Sequence, residues 1–197
     1  MKAIVSSTLF LIASTQMVEA GPCADKFIAL FTQPDQGVAT KTLATTEFKG
    51  APPMTNEFHF LSLTHNMTVP ISPPQPWVMT YETVMYQSSD KGNTWTKVRD
   101  LEAPAPEAVL EQKLTDAQTL RNTDCALEEI DGVAYERIAG DITLSQGMVT
   151  ENRYTYFVRQ SDGFIAKAIY DTKAPNFEMV ITQEIEPAPD LQLPVPD

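Results

Sequence analysis

The sequence predicts an α+β fold, a largely antiparallel sheet accompanied by two short helices. Two observations lead there. From Trp77 onward, short runs rich in aromatic and β-branched residues recur between Gly, Asp, Asn and Pro turn signals, a regularity that helices do not produce. Only two stretches, Cys23 to Thr32 and Pro104 to Ala117, carry a helical period.

Lys2, the apolar run Val5 to Ala13 and the small residues Val18 and Ala20 form a signal-peptide pattern, with cleavage expected after Ala20. Pro22 directly before Cys23 argues against a lipoprotein leader. The apolar run is too short to span a bilayer comfortably, so the mature product is expected to be a soluble periplasmic or secreted protein with no integral membrane segment. The predicted organisation is a leader at 1–20, one α+β domain at 21–186 and a Pro-rich tail at 187–197.

The first helix places Phe27, Leu30 and Phe31 at i, i+3 and i+4 and stops at Gln33-Pro34. A strand is expected near Thr40 to Phe48, broken by Ala51-Pro52-Pro53, and another around Phe58 to Leu63. Four prolines make Pro70 to Pro76 an extended connection. Trp77 to Tyr86 reads as one strand, Ser88 to Asn93 as a turn and Thr94 to Val98 as the returning strand. The second helix has Glu107 early and Leu110, Leu114 and Ala117 at i, i+4 and i+7. A meander follows: Leu120 to Glu128, Val133 to Ile142, Val149 to Arg159, Phe164 to Tyr170 and Phe177 to Ile185, with Asp131-Gly132 and Asp162-Gly163 among its turns. Pro187 to Pro196 should be extended, on the surface or disordered.

Without Lys2 and Glu19, 13 of the 14 basic and 25 of the 26 acidic side chains remain, and the net charge stays at -12. Such acidity disfavours nucleic acid and anionic membrane surfaces as partners. Cys23 and Cys125 are the only cysteines, and an exported compartment makes them read as one disulfide. The alternative, a reactive thiol pair, lacks C-x-x-C spacing and a neighbouring histidine.

Ser88-Ser89-Asp90-Lys91-Gly92-Asn93-Thr94-Trp95 resembles the Asp-box of sialidases and other secreted glycan-handling proteins. Physically it is a hairpin in which Asp90 accepts backbone bonds, Gly92 takes positive φ and Trp95 packs beneath; carbohydrate contact through Trp95 is the functional alternative. His59 and His65, the two histidines, do not make a metal site, since zinc needs three or four ligands. No G-x-S-x-G or S-x-x-K motif is present, so no catalytic residue is assigned, no enzyme activity is expected and no cofactor is implied. Glu128-Glu129 and Glu186 with Asp190 are more simply solvated acids than glycosidase carboxylates. Asn66-Met67-Thr68 is a glycosylation sequon, relevant only in a eukaryotic source.

Trp77, Met79, Tyr81 and Met85 fall on one face of the expected strand, and Tyr154 and Tyr156 share a face of theirs, with Phe164 and Tyr170 on the next. Such faces are core, or they line a site that accepts variable apolar shapes. On the second reading the first six are the candidate ligand-lining residues.

The succession of leader, helix, strands, helix and meander resembles the LolA-like group of periplasmic proteins, which carry lipoproteins or related lipids. The local echoes are Trp77 to Trp95, Cys125 to Tyr135 around Glu129-Ile130-Asp131-Gly132, and Tyr154 to Tyr170 around Asp162-Gly163. The resemblance implies a curved antiparallel β-sheet, a half-barrel, with two short helices packed on its concave face, and a hydrophobic ligand such as a lipid or lipoprotein acyl chain. It carries over no functional residue. The expectation is a non-enzymatic carrier or binder; the alternatives are an envelope interaction or structural module without a ligand and, through the Asp-box hairpin, a glycan-binding protein.

Overall fold

The computed structural model describes residues 21–102, 105–145 and 147–196. The expected leader and Pro104 lie outside the described residues.

Helix α1 (Pro22–Thr32) opens with proline in its first turn and Asp25 beside the positive end of its dipole. It stops at Gln33, because Pro34 disfavours helical backbone before it. Strands β1 (Thr40–Phe48), β2 (Met54–Ser62), β3 (His65–Ser72), β4 (Trp77–Tyr81), β5 (Val84–Ser88) and β6 (Thr96–Asp100) follow. After α2 (Pro106–Ala117) come β7 (Arg121–Ile130), β8 (Val133–Leu144), β9 (Thr150–Arg159), β10 (Ile165–Ala174) and β11 (Phe177–Pro187).

All eleven strands belong to one open, curved antiparallel sheet in the order β6-β5-β4-β3-β2-β1-β11-β10-β9-β8-β7. The expected curved sheet with two short helices is therefore what the chain forms. Two meanders are joined at the centre by the pairing of β1 with β11, which runs from Thr40 opposite Pro187 to Phe48 opposite Met179. α1 packs over β7 and β8 and α2 over β8 and α1, on the concave face of the C-terminal half.

Two expectations about strands are corrected. Trp77 to Tyr86 is not one strand, because the chain reverses at Glu82-Thr83 so that Tyr81 faces Val84. Glu82 sits at φ 54°, a turn conformation that no Gly or Asn announces. The connection expected from Pro70 begins later, since β3 runs through Pro70 to Ser72. Pro70 is tolerated because β4 pairs with β3 only from His65 to Thr68, leaving Pro70 at a local edge where a missing N–H is harmless. The Asp131-Gly132 turn forms as expected, with both residues at positive φ (53° and 77°), as a two-residue hairpin of matching twist requires.

The main core lies between the helices and the sheet: Phe27 and Phe31 of α1 and Ala117 of α2 meet Ile138, Ile142, Tyr156, Ile165 and Ala168. Gly140 makes this approach possible. A Cβ there would lie 3.1 Å from the Phe27 ring and 2.7 Å from Leu120. Cys23 and Cys125 are joined, tying α1 to β7 across a sequence separation of 102 residues. Closing so long a loop restricts the unfolded chain, an effect of about 5 kcal/mol.

The N-terminal half packs on its other face. Strand register places Met79 opposite Met67, and both are buried. On the same face the His65 and Tyr81 rings meet edge to face at 4.9 Å. The C-terminal segment returns along it: Ala188 N donates to Ala39 O, and His65 Nε2 donates to Pro194 O at 3.0 Å. Leu191 and Leu193 are half-buried while Gln192 and Pro194 are exposed, the alternation of an extended segment laid on a surface.

Candidate functional site

The candidate site is the space that α1, α2 and the concave face of β8 to β11 enclose, a cavity of about 660 Å³. α1 contributes Leu30 and Phe31, and α2 contributes Val109, Gln112 and Lys113 to the opposite wall. The floor alternates along each strand: Leu144 from β8, Tyr154 and Tyr156 from β9, Tyr170 and Thr172 from β10, and Met179, Ile181 and Ile185 from β11. The segment after α1 closes one side through Pro34, Asp35 and Gln36. Gln36 pins it there, accepting from Ile165 N at 2.6 Å and donating to Ile165 O at 3.1 Å.

An aromatic ladder crosses the cavity. Phe27 meets Tyr156 at 5.7 Å between ring centroids, Tyr156 meets Tyr170 at 6.3 Å, Tyr170 meets Tyr154 at 4.6 Å, and Tyr154 meets Phe31 at 6.2 Å. The Lys113 ammonium stands 5.8 Å from the centre of the Phe31 ring and donates to Gln33 O. Burial pushes the Lys113 pKa down. Burial likewise raises all three tyrosines, assisted at Tyr154 by the charge of Asp116; Tyr170 is pushed up to about 12 and Tyr156 well above its ordinary value. The phenols are therefore neutral at any physiological pH.

Polar groups at the margin are satisfied within the protein. Buried Asp116 accepts from Ser145 Oγ at 2.8 Å and Gln112 Nε2 at 3.0 Å. Asn152 and Thr172 bond each other at 2.8 Å. Among the described residues no group of three or more His, Cys, Asp or Glu side chains could hold a metal ion. No helix among them is long and apolar enough to cross a membrane.

Of the six lining candidates read from the sequence, Tyr154 and Tyr156 stand in this cavity. Trp77, Met79 and Tyr81 lie on β4, in the other half of the sheet and on the opposite face, where Met79 is fully buried. Met85 lies on β5 and by register faces the concave side, near the far edge. Lys113 and the β11 residues had not been singled out. The alternation of Met179, Ile181 and Ile185 is legible in the sequence, whereas nothing local marks Lys113, whose neighbours come from α1.

The loop from Ser88 to Trp95 is held from within. Asp90 accepts from Ser88 Oγ at 2.7 Å, Thr94 N at 2.9 Å and Thr94 Oγ1 at 2.7 Å, and Gly92 N donates to Ser88 Oγ at 2.8 Å. These bonds, those from Thr94 foremost, lower the Asp90 pKa to about 2. Gly92, at φ 86°, lies against the Trp77 ring, 3.0 Å from where its Cβ would stand. A polar recess of about 440 Å³, bordered by Gln87, Asp90, Thr94 and Lys97, adjoins the loop.

No family model matches the chain, and no curated protein matches it in sequence. Among solved structures it is similar to a LolA superfamily protein of Nitrosomonas europaea, at 8% identity and TM-score 0.44, over 87% of this chain and 94% of that one. It is also similar to an outer membrane lipoprotein-sorting protein domain from Vibrio parahaemolyticus, at 11% identity and TM-score 0.35, over 86% and 95% of the respective chains. A third is the MucA/MucB complex of Pseudomonas aeruginosa, at 10% identity and TM-score 0.48, where the match covers 84% of this chain and 58% of that one. At such identities no residue of the site carries over.

Proposed function

We propose that this protein is an exported, non-enzymatic binder or carrier of a hydrophobic ligand such as a lipid or lipoprotein acyl chain, held between its helices and the concave face of its sheet. The observation that carries the reading is the cavity itself. Its volume falls within the roughly 300–1,000 Å³ of small-molecule sites, and its walls are mainly aliphatic and aromatic with a few polar groups. The Cys23–Cys125 disulfide supports an oxidising compartment. Native mass spectrometry of protein purified from the exported fraction tests the proposal, followed by lipid analysis of what denaturation releases. A stoichiometric acyl species is expected; an empty protein that also refuses added fatty-acyl probes overturns it.

A second reading, an interaction module without a ligand, draws on α2. Its Val109, Leu110 and Leu114 are 38%, 45% and 47% exposed, an apolar surface that a partner would cover. Pull-downs from envelope extracts distinguish it, since loss of capture in Leu110→Ser/Leu114→Ser with acyl binding retained would assign the helix to a partner.

A further inference from the structure

The cavity floor carries more hydrogen-bonding capacity than a hydrocarbon ligand would use. Tyr154, Tyr156 and Tyr170 project from the adjacent strands β9 and β10 into one cluster, with Tyr154 directly opposite Tyr170 in the ladder. Tyr156 is only 5% exposed. Among the described residues none of the three phenol oxygens has a hydrogen-bond partner in the protein, although all three rings line the cavity. Among the described residues Trp95 Nε1 is the buried side-chain polar atom left without a partner, so the three phenol oxygens are open to the cavity, where a bound group can pair with them. As neutral phenols they are donors first, suited to an oxygen with free lone pairs.

We propose, resting on the carrier reading above, that the cavity selects an acyl chain bearing a carbonyl oxygen, of a carboxyl or an ester, which accepts hydrogen bonds from the Tyr154, Tyr156 and Tyr170 hydroxyls. The surrounding charges narrow the class. Among the described residues Lys113 is the one cationic side chain lining the cavity, and Asp35 and Asp116 line it too, with Asp116 engaged by Gln112 and Ser145. Such a balance suits a neutral or singly anionic group and opposes a polyanionic headgroup. A free fatty acid and the ester of a lipid or lipoprotein share the required carbonyl; they differ at Lys113, which only the carboxylate would pair.

The test compares dodecanoate, methyl dodecanoate and cyclodextrin-delivered dodecane as competitors of a fluorescent fatty-acyl probe, on wild type and on Tyr154→Phe/Tyr156→Phe/Tyr170→Phe. The preference for methyl dodecanoate over dodecane, compared between the two proteins, cancels the cost of leaving water. It is expected to fall at least about tenfold in the variant, equivalent to about 1.4 kcal/mol. In wild type the infrared carbonyl band of bound, carbon-13-labelled ester should shift to lower frequency, a readout that needs no variant. If the variant does not fold, Tyr170→Phe alone replaces it. A preference unchanged within about twofold, or an unshifted carbonyl band, overturns the proposal. Failure of wild type to bind any of the three probes overturns the carrier reading instead. Lys113→Gln separates the sources: weaker dodecanoate binding in the variant indicates the free acid, and dodecanoate binding equal in both proteins indicates an acyl ester.

Discussion

The two halves of this sheet share one strand pattern and bury opposite faces of it. In the C-terminal half the concave face lies beneath α1 and α2, and the outer face carries ion pairs such as Arg153 with Asp141 at 2.8 Å and Arg137 with Asp124 at 2.7 Å, beside Phe157 and Ala139. In the N-terminal half the outer face is the packed one, around Met67 and Met79, with the 88–95 loop against Trp77 and the C-terminal segment on His65. The difference teaches that an alternating strand offers two faces, and that whichever element folds over the sheet decides which becomes core. It also explains where a cavity can form. Two helices bridging a curved sheet leave space between them, while a loop and an extended segment lie flat and leave little.

The comparison can be broken hardest at the disulfide. Cys125→Ser should lower stability by about 3–5 kcal/mol under oxidising conditions. In reducing buffer wild type and variant should melt together, and an equal loss in both buffers would mean that Cys125 acts by packing alone. Next comes the helix-covered core, where Phe27→Ala should cost about 3–5 kcal/mol by urea denaturation. Met79→Ala, fully buried on the opposite face of the other half, should cost about 2–5 kcal/mol and leave acyl binding intact. A lost ligand in Met79→Ala would show that the two faces are not independent.

Removing residues 188–197 should have a smaller effect, about 1–2 kcal/mol, because it withdraws a few hydrogen bonds and two half-buried leucines. Hydrogen exchange should then quicken in β2 to β4 and not in β8 to β10. The two halves also differ in their response to pH. Asp90 has a folded pKa below its model-peptide value, so its contribution to the loop is present above about pH 4 and is lost as pH falls through about 2. Tyr170 is raised, so its contribution is present below about pH 10 and is lost as pH rises through about 12. An acid titration followed by NMR at Asp90 should show the 88–95 loop loosening as that carboxylate is protonated. Alkaline titration of tyrosinate absorbance should show three of the six tyrosines ionising late, at the cavity.

Much of the fold was legible because its signals are local. Alternation and Asp-Gly turns marked the C-terminal strands to within two residues, apart from β10, which runs on from Tyr170 to Ala174, and Gln33-Pro34 marked the end of α1. The Glu82-Thr83 turn was not legible, since it rests on a positive φ at a residue that only its surroundings hold there. Part of the site could be read as well: Tyr154 and Tyr156 stand out as aromatic residues two apart on a strand. Lys113 could not be, because its environment is made by Phe31 and Gln33, about eighty residues earlier in the chain.

By itself, then, the sequence determined the α+β class, the places of the two helices and of the C-terminal meander, and the pairing of its two cysteines, all properties fixed by short-range periodicity, turn chemistry and counting. The tertiary structure alone decided that β1 joins β11, that both helices settle on the same half of the sheet, and hence which face of each strand is buried. Those choices depend on contacts between residues far apart in the chain. Period-two alternation makes the faces of a strand distinct, but it does not say which one will be covered.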